Sequence, residues 1–289
     1  MKINKLKDNK GFAHVEALII IMVLIVTVSI GGYVYQNNVG TNYKKNIVPA
    51  FTNQGEQMKV VAESFNRPVW TSNTTTSDSD TNDFAYINPN ITKAVILTNK
   101  LSDDNKPLIL PGATLFGSGK KLKNSQTSMS IYISDSYAFL KDYQALSTYA
   151  QQTEKIQAGM GAVLTSLDQS ASATSPAQIA ELYKTDVQGL DTVIAAYKKL
   201  TPPADLVSLN SKLITALSSL RTYMSNSITD INTNNAASLY TDSNGLIAAS
   251  GTLISISGTD VTAQLQGKSI IHGQIVKLNA DAEKIKSQN

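Results

Sequence analysis

The chain has 289 residues, 42% of them hydrophobic, a net charge of +3 and no cysteine. That length allows one anchor and one or two modest domains, and the missing thiols exclude disulfides and thiolate metal sites. The charge is concentrated at the start, where Lys2, Lys5, Lys7 and Lys10 stand against Asp8; the remainder balances 21 basic with 21 acidic residues, so no electrostatic footprint for nucleic acid exists beyond the first eleven residues.

The basic leader ends in Lys10-Gly11-Phe12, and Glu16 follows four residues after the Phe. Residues 17–35 then run for nineteen positions without a charge, and the next charged residue is Lys44. As a helix such a run spans about 28 Å, close to the hydrocarbon core of a bilayer at about 30 Å. Positive charge only on the leader side predicts a cytoplasmic N-terminus with the bulk outside, and Tyr33 and Tyr35 close the run where an interfacial aromatic belt belongs. A carboxylate at the head of a membrane helix costs about 2.5–3.5 kcal/mol on insertion scales, so Glu16 needs a reason.

Gly11, Phe12, Glu16 and the apolar run together resemble the class III prepilin signal of type IV pilins and pseudopilins, over about the first 35 residues. The resemblance implies that prepilin peptidase cuts between Gly11 and Phe12 and that Phe12 becomes an N-methylated terminus. It also implies that Glu16 pairs with the terminal amine of a neighbouring subunit during assembly. His14 and Val15 replace the Thr-Leu-Ile usual between the Phe and the Glu. The partners implied are the peptidase, other pilin subunits, the assembly platform and membrane lipid. A secretory signal peptide would use Ser29 or Gly31 as its small residues, but Glu16 fits it poorly. An uncleaved signal anchor is the serious competitor.

Residues 36–66 are expected to continue the helix outward, with Pro49 a place for a bend and Ile47, Phe51, Met58, Val61, Ala62 and Phe65 forming its stripe. Thr71–Asp83 is a low-complexity polar loop. Within 67–133, Ala94–Thr98, Pro107–Pro111 and Met129–Ile133 are short β-prone runs, read as a small sheet or an irregular insertion. Asp78–Asp83 begins like an EF-hand loop, but Asp83 stands where Gly is needed and Pro89 where Glu is needed. A solvated loop is the default and a loose Ca²⁺ site the alternative. Gly112–Gly117 has Walker spacing but continues with Ser118 instead of Lys, and Gly117–Lys121 reads as a basic turn.

From 134 to 289 the apolar residues step by threes and fours, beginning with Phe139, Leu140, Tyr143 and Leu146. Ser175-Pro176-Ala177-Gln178 is a helix start with a capping Ser, Pro at the first position and Gln placed for a capping box. Thr201-Pro202-Pro203 ends that helix and launches one carrying Leu213, Leu217, Leu220 and Met224. Residues 233–256 read as a helix weakened by Gly245 and Gly251, and 260–286 as a last one. The fold class is therefore mainly α: a transmembrane helix over 12–35 leading into an extracytoplasmic up-and-down bundle. Most type IV pilin heads pack a helix on an antiparallel sheet, and a helical head departs from that pattern.

No catalytic constellation is evident. His14 and His272 are the two histidines, and His272 reads as a partly exposed helix residue. Tyr132, Tyr137, Tyr143 and Tyr149 are expected mostly in the core, with adhesive contact as the alternative. The expected function is structural or adhesive, without catalysis, cofactor or metal. The first alternative is a single-pass protein whose extracytoplasmic helical domain binds or senses a ligand. A third is an exported enzyme using scattered carboxylates.

Overall fold

The computed structural model describes residues 9–65, 83–108, 117–171, 173, 175–256 and 270–288, with side chains described from residue 32 onward except at 65, 83–85, much of 158–171 and 288. Seven α-helices are present among them: α1 Asn9–Phe65, α2 Asp83–Asp104, α3 Gly117–Ala171, α4 Pro176–Lys199, α5 Val207–Thr233, α6 Ala236–Ser255 and α7 Ile270–Gln288. A 3₁₀ turn, Ala204–Leu206, precedes α5. The chain divides into two compact units, Met1–Glu56 with Ile96–Ser134 and Asn279–Asn289, and Gln57–Val95 with Asp135–Leu278.

The β-prone reading of 67–133 is corrected. Ala94–Thr98 lies inside α2 and Met129–Ile133 inside α3, and no strand occurs among the described residues. Residues 109–111 of the Pro107–Pro111 run, and 71–82 of the polar loop, lie outside the described residues. The reason is periodicity. Ile87, Ile91, Ala94, Thr98 and Leu101 are buried at alternating steps of four and three, a heptad seam that outweighs the β preference of three consecutive aliphatics. In α3 the same alternation runs through Leu122, Ser125, Met129, Tyr132, Ser136, Phe139 and Tyr143, all buried. Residue 134, the expected start of the bundle, falls in the middle of α3. Gly117–Lys121 is the first turn of that helix and not a basic loop.

α1 runs unbroken through Pro49. Its buried face is Gln36, Tyr43, Ile47, Ala50, Gln54, Gln57, Met58, Val61 and Ser64. Ile47, Met58 and Val61 are where the apolar stripe put them; Phe51 and Ala62 are half-buried, and the Phe65 side chain lies outside the described residues.

In the first unit, α2 runs antiparallel and α3 parallel to α1, as paired residues show. Gln54 Nε2 donates to Thr98 Oγ1 at 3.1 Å, and Tyr132 OH donates to Gln54 Oε1 at 2.7 Å. The Phe51 and Tyr132 rings meet edge to face at 5.1 Å. Asn105, just past the end of α2, joins all three helices. Its Oδ1 accepts from Tyr43 OH at 2.6 Å, and its Nδ2 donates to Ser130 Oγ at 2.9 Å. Burial pushes the Tyr43 phenol up to about 12, so it remains a donor across the physiological range.

In the second unit, Gln57 Nε2 donates to Asn90 Oδ1 at 3.0 Å, and Ser147 Oγ to Asn88 Oδ1 at 2.7 Å. Ser175 caps α4 as expected, its Oγ accepting the Gln178 N–H at 3.3 Å. α4, α5 and α6 are consecutive antiparallel neighbours around Leu190, Tyr197, Leu217, Met224 and Leu253. The Arg221 guanidinium of α5 grips the Asp191 carboxylate of α4 through Nε at 3.0 Å and Nη2 at 3.3 Å. The α5–α6 turn passes through Asn234 in the left-handed region, and Asn235 caps α6 by accepting the Ser238 N–H. Asp205 in the 3₁₀ turn accepts the N–H of Ile270, the first described residue of α7, at 2.8 Å. α7 then lies antiparallel to α3, with Gln274 Nε2 donating to Asp142 Oδ2 at 2.6 Å and Lys277 Nζ to Asp135 Oδ1 at 2.8 Å.

Gly245 has a packing reason. A Cβ there would stand 2.6 Å from Cδ1 and Cζ of the Tyr223 ring, well inside contact distance. Two outcomes follow for stability. Asn105→Leu leaves the Tyr43 hydroxyl buried without its acceptor and lowers unfolding stability by about 1–3 kcal/mol in urea titration, and adding Tyr43→Phe recovers part of the loss. Gly245→Ala destabilises by about 1–3 kcal/mol through overpacking despite the gain of about 1 kcal/mol in helix propensity; combined with Tyr223→Ala the alanine is no longer unfavourable.

Candidate functional site

Gly11, Phe12 and Glu16 all fall within α1, near its first residue Asn9. On a helix, positions 12 and 16 share one face. Their side chains, and those of the apolar run as far as Gly31, lie outside the described residues. Among the described residues no helix is long and apolar enough to cross a membrane. The described end of the run is exposed, with Tyr33, Val34 and Tyr35 each near half exposure. From Gln36 onward the same helix changes character, and polar side chains with assigned partners enter its buried seam. One helix thus carries the Gly–Phe bond, the acidic residue, the uncharged run and a surface that packs against α2 and α3.

The other sequence candidates are dispersed. His272 is exposed on α7. Tyr132, Tyr143 and Tyr149 are buried, whereas Tyr137 is exposed. Residues 78–82 of the Ca²⁺-like loop lie outside the described residues, and its second half, Asp83 through Pro89, is the start of α2 rather than a coordinating loop. Among the described residues no group of three His, Asp or Glu side chains is arranged to hold a metal ion.

One chemically distinctive contact escaped the sequence reading. Asp230, in the last turn of α5, and Asp242, in the second turn of α6, are each only 7% exposed, and Asp230 is the acidic group that bears on the Asp242 carboxyl. Asn226 Nδ2 donates to Asp242 Oδ1 at 3.5 Å. A hydrogen bond between two carboxyls requires a proton on one of them, so closeness to Asp230 favours the protonated form of Asp242. Accordingly, burial, the bond to Asp230 and the Asp230 charge push the Asp242 carboxyl up from its usual value, against a smaller lowering by Asn226. A sequence signal existed: Asp242 precedes Leu246, Ala249 and Leu253 at helical steps, an acid on an apolar stripe. Asp186 occupies the equivalent kind of position in α4, ahead of Leu190, and is 1% exposed.

No protein-family model matches the chain, and neither a curated protein nor a solved structure matches it.

The carboxyl pair makes a signed pH prediction. Because the folded Asp242 binds its proton more tightly than the unfolded chain does, the pair favours the fold below the ordinary carboxylate range. That contribution is lost as pH rises through the raised value. Asp242→Asn keeps the hydrogen bond without the proton requirement. It therefore raises the melting temperature relative to the parent at pH 7 and leaves it unchanged, or lowers it, at pH 3.

Proposed function

We propose that this chain is a type IV pilin-like surface protein, processed after Gly11 and assembled through its N-terminal helix. The observation that carries the reading is the order of parts along the first 35 residues. A basic leader, the Gly11–Phe12 bond, Glu16 and a nineteen-residue uncharged run stand in direct succession.

Each part has a physical task in this reading. The lysines hold the leader on the cytoplasmic side. The run spans the bilayer, and cleavage exposes the Phe12 amine. That amine pairs with Glu16 of an adjacent subunit, which offsets the cost of carrying a carboxylate into the membrane. The buried seam that begins at Gln36 packs the helix against the helices displayed outside. The role is structural or adhesive, and chemistry enters only through the peptidase and the methylation of Phe12.

The test is intact-mass measurement and N-terminal peptide mapping of the protein from its native envelope. The expected chain begins at N-methylated Phe12, and Glu16→Ala abolishes recovery in sheared filaments while leaving membrane insertion intact. A chain that retains residues 1–11 overturns the reading and leaves a membrane-tethered helical domain that binds or senses a ligand.

A further inference from the structure

Beyond residue 11 the charges cancel in number but not in position. α1, α2 and α3 come together where the uncharged run ends. Ser118 Oγ, in the first turn of α3, donates to Gln36 Oε1 at 3.5 Å, and a Cβ added at Gly40 would meet Leu122 Cδ2 at 3.5 Å. Asn105, just past α2, accepts from Tyr43. Residues 36–46, 101–108 and 117–128 therefore lie side by side at one end of the first unit.

Six lysines stand in these three segments, Lys44, Lys45, Lys106, Lys120, Lys121 and Lys123, against two acids, Asp103 and Asp104. All six lysines are exposed. Asp103 lies 3.8 Å from Lys106, with the two side chains 75% and 76% exposed, so water screens the pair and little of the positive field is removed. Farther along the same helices, residues 47–64, 83–100 and 129–150 carry four basic and five acidic residues. Positive charge is thus gathered at the end nearest the run.

Distance along α1 fixes what this end faces. Lys120, Lys121 and Lys123 stand beside residues 38–41, about 5–9 Å beyond Tyr35, and Lys44 and Lys45 lie about 14–15 Å beyond it. The headgroup layer outside the hydrocarbon core is about 5–8 Å deep on each side. Tyr33 and Tyr35, each near half exposure, come first and the lysines next, which is the order of an aromatic belt followed by a phosphate layer. Lysines on the exported flank also oppose the orientation that the leader sets, so their concentration there carries a cost that a contact with lipid offsets.

We infer that the lysine-bearing end of α1, α2 and α3 binds the anionic headgroups of the leaflet from which the run emerges, seating the first unit end-on against the membrane surface. The inference rests on the reading of residues 17–35 as membrane-spanning and adds a lipid partner to it. Each lysine within a Debye length of an anionic surface, about 8 Å at physiological salt, strengthens attraction about fivefold. Cleavage after Gly11 removes the four leader lysines, so in the processed chain this end supplies the electrostatic hold on lipid.

For the test, the full-length protein is reconstituted into vesicles of phosphatidylcholine, or of an equal mixture with phosphatidylglycerol. It is then acylated with a succinimidyl ester, and modification at each lysine is read by mass spectrometry. Lys93 and Lys141, exposed and about 20 Å and 27 Å along their helices from Lys106 and Lys123, are the internal reference. The expected result is at least fivefold lower modification of Lys106, Lys120 and Lys121, relative to that reference, in the phosphatidylglycerol vesicles. The difference vanishes in about 1 M salt. Changing Lys120→Glu, Lys121→Glu and Lys123→Glu together abolishes it at Lys106 with unchanged helicity by circular dichroism. Equal modification in both vesicles, a difference that survives salt, or equal protection of Lys93 and Lys141 overturns the inference. DNA or polyphosphate that shields the same lysines equally well on phosphatidylcholine vesicles assigns this end to a soluble polyanion and also overturns it. Alkaline carbonate extraction of the same vesicles separates the two readings. Protein stripped by carbonate yet protected by phosphatidylglycerol removes the membrane-spanning reading and leaves a peripheral contact. Protein retained through carbonate without protection removes only the contact.

Discussion

A buried amide must find a hydrogen-bond partner, and that requirement sets the register of the first three helices. Leaving one unsatisfied costs as much as several favourable contacts supply. Gln54 and Gln57 stand in the seam of α1 where a simpler bundle would place leucine. Each reaches α2, and Gln54 also receives Tyr132 of α3. Apolar side chains tolerate a slip by one turn; these amides do not, because their partners occur once. Asn105 has the same effect at the end of α2, where it holds Tyr43 and Ser130 together. A helix read as an assembly element gains from such pins, since a load applied along it cannot be relieved by sliding.

The α4–α5–α6 hairpins are built differently. Their core is aliphatic and aromatic, and short capped turns make the helices antiparallel neighbours. Asp186, Asn210, Ser227, Asp230 and Asp242 are buried polar exceptions, and the Asp242 carboxyl is pushed up beside Asp230 near the α5–α6 turn.

The helices after residue 175 were legible because their signals agree. Ser175 and Pro176 start α4, Pro202 and Pro203 separate it from α5, and large apolar residues such as Leu190, Ile194, Leu217, Leu220 and Met224 mark the inward face. The region from 83 to 133 was misread for a physical reason. Its seam mixes Thr98, Asn105, Ser125 and Ser136 with aliphatics, so counting apolar residues alone missed the heptad and left only short β-branched runs visible. The carboxyl pair was missed for a related reason: an acid is assigned to solvent unless its place on a stripe is weighed above its charge.

By itself the sequence determined the mainly helical class, the punctuation of α4 through α6 and the succession of leader, Gly11, Phe12, Glu16 and uncharged run, because capping, proline geometry and unbroken hydropathy are local properties. Only the tertiary structure decided that 83–104 and 117–133 are helical, which amides pair across α1, and that burial beside Asp230 pushes the Asp242 carboxyl up. It also decided that Tyr240, Ile247 and Ile254 face outward while Leu246 and Leu253 of the same helix face in. Those outcomes depend on which residues distant in the chain come to lie opposite one another, and burial gives a polar or apolar side chain its meaning only once that neighbour is in place.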